Sequence, residues 1–429
     1  MQAKLKSESQ PLGFSQSKVS RRHALKTLVM GGAILAAPAL SAKASIADCE
    51  LTYDKSINYL GSHQAGVLTP EQKNASFIAF RITSTTLDKL QTLFTVLTQR
   101  IAFLTQVQKS TPNQNDKMPP AESGILGTLI QPDALSVTVS LGDSLFDSRF
   151  GLEKLKPSQL VEMTSFPNDR LEDKWCGGDV VLQICANSQE SVIYALRDIL
   201  RHTSPYWFPL WKIDGFLPSR DIDKRSTPIN LFGFKDGTGN APADDSKLMD
   251  ELIWVTEDSK EPAWCVGGTY QAVRLIRFNL EFWDRTPLED QENDFGRHKA
   301  TGAPMGMKHE MDDPAFDKDP HGDRVLFDSH MRRAEPRNPT RHTAKLRRRS
   351  YSYSLGLTDN GALDMGLIFV SYQKNLKTGF IDTQKRLNGE PLERYIKPFG
   401  GGYYFVLPGI QSEQDQLAKG LFAALKATK

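Results

Sequence analysis

The spacing of apolar positions predicts a repeated order of strands and helices along the chain. In the first half, apolar or alternating runs typical of strands occupy residues 77–82, 135–141 and 180–185. Residues 86–106 carry apolar side chains at helical spacing, with Thr85 or Thr86 as the capping residue, and residues 190–201 form the next predicted helix. This order of strand, helix, strand, loop, strand and helix is typical of a split βαβ or ferredoxin-like unit.

The second half of the chain repeats this rhythm. Its predicted strands are residues 272–280, 351–357, 365–372 and 403–408. Residues 413–426 form the predicted closing helix. The charged segment 283–323 is rich in Gly, Pro and Asp, has little periodicity and is interpreted as a long surface connection. The sequence therefore predicts an α+β fold of two ferredoxin-like domains, residues 48–215 and 216–429, with antiparallel sheets facing each other and helices outside.

Residues 1–44 are predicted to be an export signal rather than part of the fold. Arg21 and Arg22 precede an apolar run at 28–42 that is too short to span a bilayer, and residues 42–44 offer a small-x-small cleavage site. Paired arginines before a modest apolar run indicate twin-arginine export. A Sec signal with an incidental arginine pair is the alternative.

Composition and charge are those of an ordinary globular protein and narrow the function classes. The 429 residues are 39% hydrophobic and 24% charged, and the net charge of +2 argues against a global nucleic-acid footprint. The four cysteines form no CxxC pair, so an iron–sulfur cluster, a structural zinc or a covalently attached haem is not indicated. Cys176 and Cys185, nine residues apart across a predicted strand, are expected to be buried free thiols rather than a disulfide.

A dense basic stretch precedes the last strands of the second half. Between Arg324 and Arg349 the chain has eight Arg and one Lys against two acids, with His330 near the start. A basic segment directly before the strands of a sheet favours an anionic cofactor bound against that sheet, because arginine pairs well with carboxylates. The alternatives are a surface histidine among arginines and an RNA-binding or other anionic-surface patch.

A glycine-rich loop at residues 231–240 is the second candidate site. Gly233, Gly237 and Gly239 surround Asp236, which allows the backbone to approach a planar ligand closely. The glycine spacing differs from that of Rossmann and P-loop sites. A plain turn, with the Asp236 side chain bonding to nearby backbone, is the alternative.

These two segments and several others together resemble the dye-decolourising peroxidases. GFKDG at residues 233–237 matches the GxxDG motif of that family. The similarity extends over nearly all of the chain after the signal, through GSHQAG, FGLEKLKP, CGGDVVLQICA, SHMRRAEPR, RRSYSYS, LDMGLIFVSYQ and KRLNGEPLERYIKPFGGGYYFVLPG. With the export signal, the chain is similar to the secreted deferrochelatase/peroxidase branch, which is associated with bacterial iron uptake. The family fold is a pair of ferredoxin-like domains, in agreement with the pattern of strands and helices.

The resemblance implies roles for particular residues of both segments. His330 matches the iron ligand of the family's haem, and Asp236 and Arg348 match the acid and the arginine on the opposite side of that haem. A carboxylate there can accept and return a proton of the peroxide, while the guanidinium stabilises developing charge. Other matched positions contact the haem: Gly237, Thr238, Gly239, Glu335, Pro336, Arg337, Leu367 and Phe369.

Three of the implied roles are more specific. Arg337 matches a residue that meets a haem propionate. Glu335 stands where the family more often has Asn, which puts a carboxylate beside a carboxylate-binding site. Glu390 or Glu393 is expected to orient His330 through its second ring nitrogen.

The resemblance also implies the reaction, the cofactor and the partners. One haem b per chain would serve an exported peroxidase that reduces H2O2 and oxidises bulky donors such as dyes. It would act in the periplasm, or outside the cell if there is no outer membrane. Release of iron from haem with the porphyrin left intact is an alternative, and a non-catalytic haem carrier is another. The expected partners are H2O2, a reducing substrate, iron-uptake permease components and further copies of the chain. No nucleic acid partner and no membrane span in the mature chain are expected.

Overall fold

Eleven strands and eight α-helices occur in the part of the chain that the structure, a computed structural model, describes: residues 55–109, 117–218, 227–336 and 346–428. The strands are β1 Asn74–Ile82, β2 Gln108–Lys109, β3 Leu129–Ile130, β4 Ser136–Gly142, β5 Val180–Ala186, β6 Trp207–Phe216, β7 Thr269–Phe278, β8 Arg347–Arg348, β9 Tyr351–Leu357, β10 Leu363–Gln373 and β11 Ile396–Val406. The helices are α1 Leu87–Leu104, α2 Gln189–Thr203, α3 Ser246–Leu252, α4 Leu280–Trp283, α5 Leu288–Phe295, α6 His330–Ala334, α7 Asp382–Leu387 and α8 Lys419–Ala427.

The first half forms a four-stranded antiparallel sheet with two helices. Its main elements follow the order β1, α1, β4, β5, α2, β6, and the strands lie side by side in the order β4-β5-β1-β6. The side chain of Thr86 accepts from the N–H of Lys89 and caps α1, and the apolar face of α1 shares one buried cluster with the strands. β6 was not predicted, because its buried positions are interrupted by Pro209 and by exposed polar residues such as Lys212.

The second half repeats this arrangement with different connections. Its strands lie in the order β9-β10-β7-β11, which matches the first half strand for strand. The helices α4, α5 and α6 and the short strand β8 lie between β7 and β9 in the chain, and α7 lies between β10 and β11. The closing helix begins at Lys419 rather than at residue 413.

The two four-stranded sheets join edge to edge into a closed ring. β11 pairs with β4, and β6 meets β9 at Phe216 and Ser352, with all these pairings antiparallel. Gln183 on β5 and Tyr372 on β10, which are not neighbouring strands, form a hydrogen bond of 2.6 Å across the interior. The predicted α+β fold of two ferredoxin-like halves with facing sheets is therefore confirmed, whereas the boundary between residues 215 and 216 stays a prediction.

Other expectations have mixed outcomes. Cys176, Cys185 and Cys265 are free, and Cys176 is half-buried rather than buried. The segment 283–323 is more than a surface connection, because it contains α5 and residues of the cavity described below. The proposed signal lies outside the described residues. Among the helices within them, none has the length and apolar character needed to cross a membrane.

Candidate active site

A large cavity is lined mainly by residues of the second half of the chain. Its empty space, including the open mouth, is about 1820 Å³, and strands β7 and β10, helices α6 and α7 and the glycine-rich loop all contribute to its lining. Predicted site residues among the lining are Asp236, Thr238, Gly239, His330, Glu335, Arg348, Leu367 and Phe369. Gly237 and Pro336 are not among the lining residues, and Arg337 lies outside the described residues. The structure thus brings eight positions from distant parts of the chain to one cavity.

His330 is the first residue of α6, and its side chain is 32% exposed. Its Nδ1 lies 2.7 Å from Oε2 of Glu390, whose side chain is only 3% exposed. Burial lowers the pKa of His330, but the charge and hydrogen bond of Glu390 more than offset burial, so the pKa is raised. Glu390 is therefore the carboxylate that orients this imidazole, whereas Glu393 accepts from the backbone N–H of Gly389. Because Nδ1 is engaged, Nε2 is the nitrogen available to a metal.

Asp236 follows a tight turn that is fixed by aromatic side chains. The backbone N–H of Asn230 donates to the carbonyl of Phe234 at 2.9 Å, and the Asn230 side chain accepts from the N–H groups of Phe232 and Phe234. Gly233 takes a φ of +83° in this turn, a conformation that glycine adopts without strain. Phe232 and Phe234 stack on two phenylalanine rings of the cavity lining, with centroids 3.9 and 4.0 Å apart. The turn is thereby anchored to the cavity wall.

Glu310 fixes the other part of the same loop, although the sequence analysis placed it in a surface connection. Its carboxylate accepts from the hydroxyls of Thr227 and Thr238 and pairs with Nζ of Lys235. Burial raises the pKa of Glu310, but these donors outweigh burial and hold the pKa below its usual value. Because the three donors stand on both sides of Asp236 in the chain, the half-buried Glu310 carboxylate restrains the loop that carries Asp236.

Arg348 is held beside Asp236 by a side chain that the sequence analysis did not single out. Its Nη1 lies 3.2 Å from Oδ1 of Asp236, and its Nη2 donates to the carbonyl of Thr238 at 2.8 Å. The Asn240 side chain donates to the Arg348 carbonyl at 2.8 Å and accepts from the Arg348 N–H at 2.9 Å. The amide thus pairs with the backbone as a neighbouring strand would. The only signal in the sequence was an asparagine at the end of a glycine-rich loop.

The arginines on either side of Arg348 point elsewhere. Arg347 lies 3.5 Å from the carboxylate of Glu71, and Arg349, whose side chain is fully buried, donates to the backbone carbonyls of residues 69–70. Both fasten the N-terminal segment to the sheet, and of the three only Arg348 lines the cavity. The basic run therefore does not face the cavity as a whole, because Arg347 and Arg349 bind other partners.

The cavity lining has the chemistry that a haem requires. Its apolar side chains offer walls for a planar macrocycle: Ile276, Phe278, Phe295, Leu346, Leu367, Phe369, Phe380, Leu387 and Leu392. Gly239 has a φ of +91°, and no atom lies within 4 Å of the place where a Cβ would stand, so the loop leaves open space beside it. The Nε2 of His330 would supply the single imidazole that a haem iron needs. The residues present therefore fit a haem.

Comparisons with known proteins agree with this geometry. The family models for Dyp-type peroxidase, N-terminal, and Dyp-type peroxidase, C-terminal, match residues 64–217 and 227–411. A curated protein named Deferrochelatase from Escherichia coli O157:H7 is 52% identical over 365 residues, covering 85% of this chain and 86% of that protein. Its namesake from Shigella sonnei is 53% identical over 366 residues, with the same coverage.

Solved structures with the same fold are also similar. The DyP-type peroxidase from Cellulomonas bogoriensis is 31% identical with a TM-score of 0.76, covering 86% of this chain and 99% of that one. Ferric DtpA from Streptomyces lividans is 29% identical with a TM-score of 0.77, covering 87% of this chain and 99% of that one. The similarity therefore spans both halves of the closed ring and the cavity.

Proposed function

The chain belongs to the Dyp-type peroxidase family, and on that basis we propose that it binds one haem b and uses hydrogen peroxide to oxidise bulky organic donors. It is an enzyme of the peroxidase class. The observation that carries the proposal is that His330, held by Glu390, and the ion pair of Asp236 and Arg348 line one cavity. A haem carrier has no need of such a charged pair, so the pair favours an enzyme.

Each of these side chains has a task in the proposed reaction. When bound, haem supplies an iron with one open coordination position at which peroxide is activated. The Asp236 carboxylate accepts a proton from one oxygen of hydrogen peroxide and returns it to the other, which leaves as water. The Arg348 guanidinium stabilises the negative charge that develops on that leaving oxygen. Glu390 keeps the ring proton of His330 on Nδ1 and fixes the orientation of the imidazole.

The remaining predicted positions are proposed to surround the haem. Gly239 and Thr238 lie along its edge, and Leu367 and Phe369 form the apolar surface on the side of Asp236. Further proposed contacts are Gly237, Glu335, Pro336 and Arg337.

The direct test is dye oxidation by the purified, haem-loaded protein. We expect a Soret band from bound haem and hydrogen-peroxide-dependent decolourisation of an anthraquinone dye. A protein that takes up no haem, or that takes it up and gives no peroxide-dependent turnover, would refute the proposal.

Release of iron from haem is a second candidate activity. It is favoured because curated relatives that are 52% identical over 85% of this chain bear the name Deferrochelatase. In this reaction iron leaves the porphyrin and two protons take its place on the ring nitrogens. We expect fluorescence of free protoporphyrin IX to appear when the protein is incubated with haem and a reductant. Intact haem at every time point would count against this activity.

A variant of Glu310 tests how the glycine-rich loop is held. Glu310→Gln keeps the shape of the side chain but removes the charge that pairs with Lys235, so Asp236 loses part of its support. We expect turnover to fall about tenfold and the free energy of unfolding to fall by about 1–3 kcal/mol. Glu289→Gln on the exposed side of α5 is the matched control and should change neither. Steady-state dye oxidation measures the turnover, and chemical denaturation measures the free energy of unfolding. Wild-type values of both in Glu310→Gln would contradict the proposal that Glu310 supports the loop.

We further propose that the mature protein acts in the periplasm, or outside the cell if there is no outer membrane. The support is the arginine pair before the apolar run at residues 28–42. Twin-arginine export carries folded proteins, so haem would be inserted before export. Iron-uptake permease components and further copies of the chain are the proposed partners.

A further inference from the structure

A buried guanidinium of the cavity lining has no role in the reaction proposed above. Arg274 lies on β7, is 1% exposed and lines the cavity together with Phe166 and Asp169 from the first half of the chain. Its Nη2 donates to the Asp169 carboxylate, and its guanidinium carbon lies 5.3 Å from the centroid of the Phe166 ring. Its Nε and Nη1 have no hydrogen-bond partner within the described residues.

The Asp169 carboxylate does not pair with these two nitrogens, although it lies beside the guanidinium. One of its oxygens accepts from Arg274, and the other accepts from the backbone N–H of Phe166 at 2.9 Å. Buried donors in folded proteins are nearly always paired, and an unpaired donor on a charged group is costly. Because Arg274 lines a cavity that takes a ligand, the missing acceptor is best supplied by that ligand.

We infer that Arg274 is a carboxylate-binding position of this cavity, an inference that rests on the proposed haem function. A guanidinium pairs strongly with a carboxylate through charge and hydrogen bonds. In the pairing of β7 with β10, Arg274 stands opposite Phe369, so this position adjoins the apolar surface proposed to face the haem. The carboxylate is either a propionate of the haem or a group on an aromatic donor, and the two sources can be distinguished.

The first experiment compares haem with its dimethyl ester, in which both propionates are masked. Apo protein of the wild type and of Arg274→Gln is titrated with each porphyrin, and dissociation constants are read from the Soret band. If a propionate is the ligand, Arg274→Gln should bind haem about 10- to 100-fold more weakly and bind the ester as the wild type does.

The second experiment tests an aromatic donor as the source. The haem-loaded wild type and Arg274→Gln are titrated with 2-naphthoate and with the uncharged 2-naphthamide, and the shift of the Soret band is followed. If the donor carboxylate is the ligand, Arg274→Gln should bind naphthoate about 10- to 100-fold more weakly, while haem and naphthamide affinities stay unchanged.

Arg277→Gln is the matched control for both experiments. Arg277 lies on the same strand and pairs with Asp364 at 2.8 Å, but it is not among the cavity-lining residues. Its replacement should leave every ligand affinity at the wild-type value. If Arg274→Gln does not fold, Arg274→Lys carries the test. It keeps the charge beside Asp169 but loses the planar fork, so affinity for one carboxylate ligand should fall about three- to tenfold.

Unchanged affinities for haem, the ester and naphthoate in the folded Arg274 variant would overturn the inference. A wild-type protein without a Soret band would instead refute the proposed function. Failure of the Arg274 inference can therefore be distinguished from failure of the proposed haem function.

Discussion

The His330→Ala variant is expected to lose its bound haem. His330 is the only histidine among the described residues that line the cavity, so no second imidazole can replace it in the proposed role of iron ligand. The substitution also leaves the Glu390 carboxylate, which is 3% exposed, without the ring N–H that it now accepts. An unpaired buried carboxylate is costly, so the lost iron bond and the lost hydrogen bond act together. We expect no Soret band after purification and no peroxide-dependent turnover.

Two controls make this result specific to the iron bond. His298→Ala removes an imidazole that pairs with Glu292 at 3.0 Å outside the cavity lining, and it should keep a full Soret band. Added imidazole should restore part of the band to His330→Ala, because a free ligand can enter the space that the side chain leaves. A full Soret band in His330→Ala without added imidazole would refute His330 as the ligand.

The fold could be predicted from the sequence because its strands carry a local signal. β4 and β5 are buried along their whole length and appear as apolar or alternating runs, and Thr86 marks the start of α1 by its capping side chain. β6 was missed because it alternates irregularly between buried and exposed positions. Closure of the two sheets into a ring has no such local signal, because it depends on pairing between strands that are distant in the chain.

Residues of the candidate site could be predicted only where they belong to a sequence motif that is recognisable by itself. Asp236 and His330 stand in recognisable segments, but the roles of Glu310 and Asn240 depend on contacts made across the fold. Asn240 bonds the backbone of a residue 108 positions away, and Glu310 joins donors 72 to 83 positions away. The same holds for the partners of the neighbouring arginines: alternation along a strand separates Arg348 from Arg347 and Arg349, but the groups that each one meets lie more than 100 positions away.

Asp236→Asn and Arg348→Leu are expected to abolish most peroxidase turnover while haem stays bound. Asn keeps the shape of the carboxylate but cannot accept and return a proton, which should lower turnover by about 10²–10⁴-fold. Leu removes the charge that stabilises the leaving oxygen, which should cost about 10²–10³-fold. The strand should stay in place in Arg348→Leu, because Asn240 bonds the backbone at this position rather than the guanidinium.

A second carboxylate–guanidinium pair provides matched controls. Asp294 and Arg394 lie 2.9 Å apart, and neither is among the lining residues. Asp294→Asn and Arg394→Leu should therefore keep wild-type turnover and a full Soret band. Stopped-flow and steady-state dye oxidation at saturating peroxide measure the effect, with the Soret band as the check on haem content. Wild-type turnover in both Asp236→Asn and Arg348→Leu would exclude the proposed proton transfer.

The double variant distinguishes one shared step from two separate ones. If Asp236 moves the proton while Arg348 stabilises the same leaving oxygen, both contribute to a single transition state, and losing one leaves little for the other to assist. Groups that act as a unit show strongly non-additive losses. We therefore expect Asp236→Asn/Arg348→Leu to be about as slow as the slower single variant. A loss equal to the product of the two single losses would mean that the pair, although 3.2 Å apart, serves two independent steps.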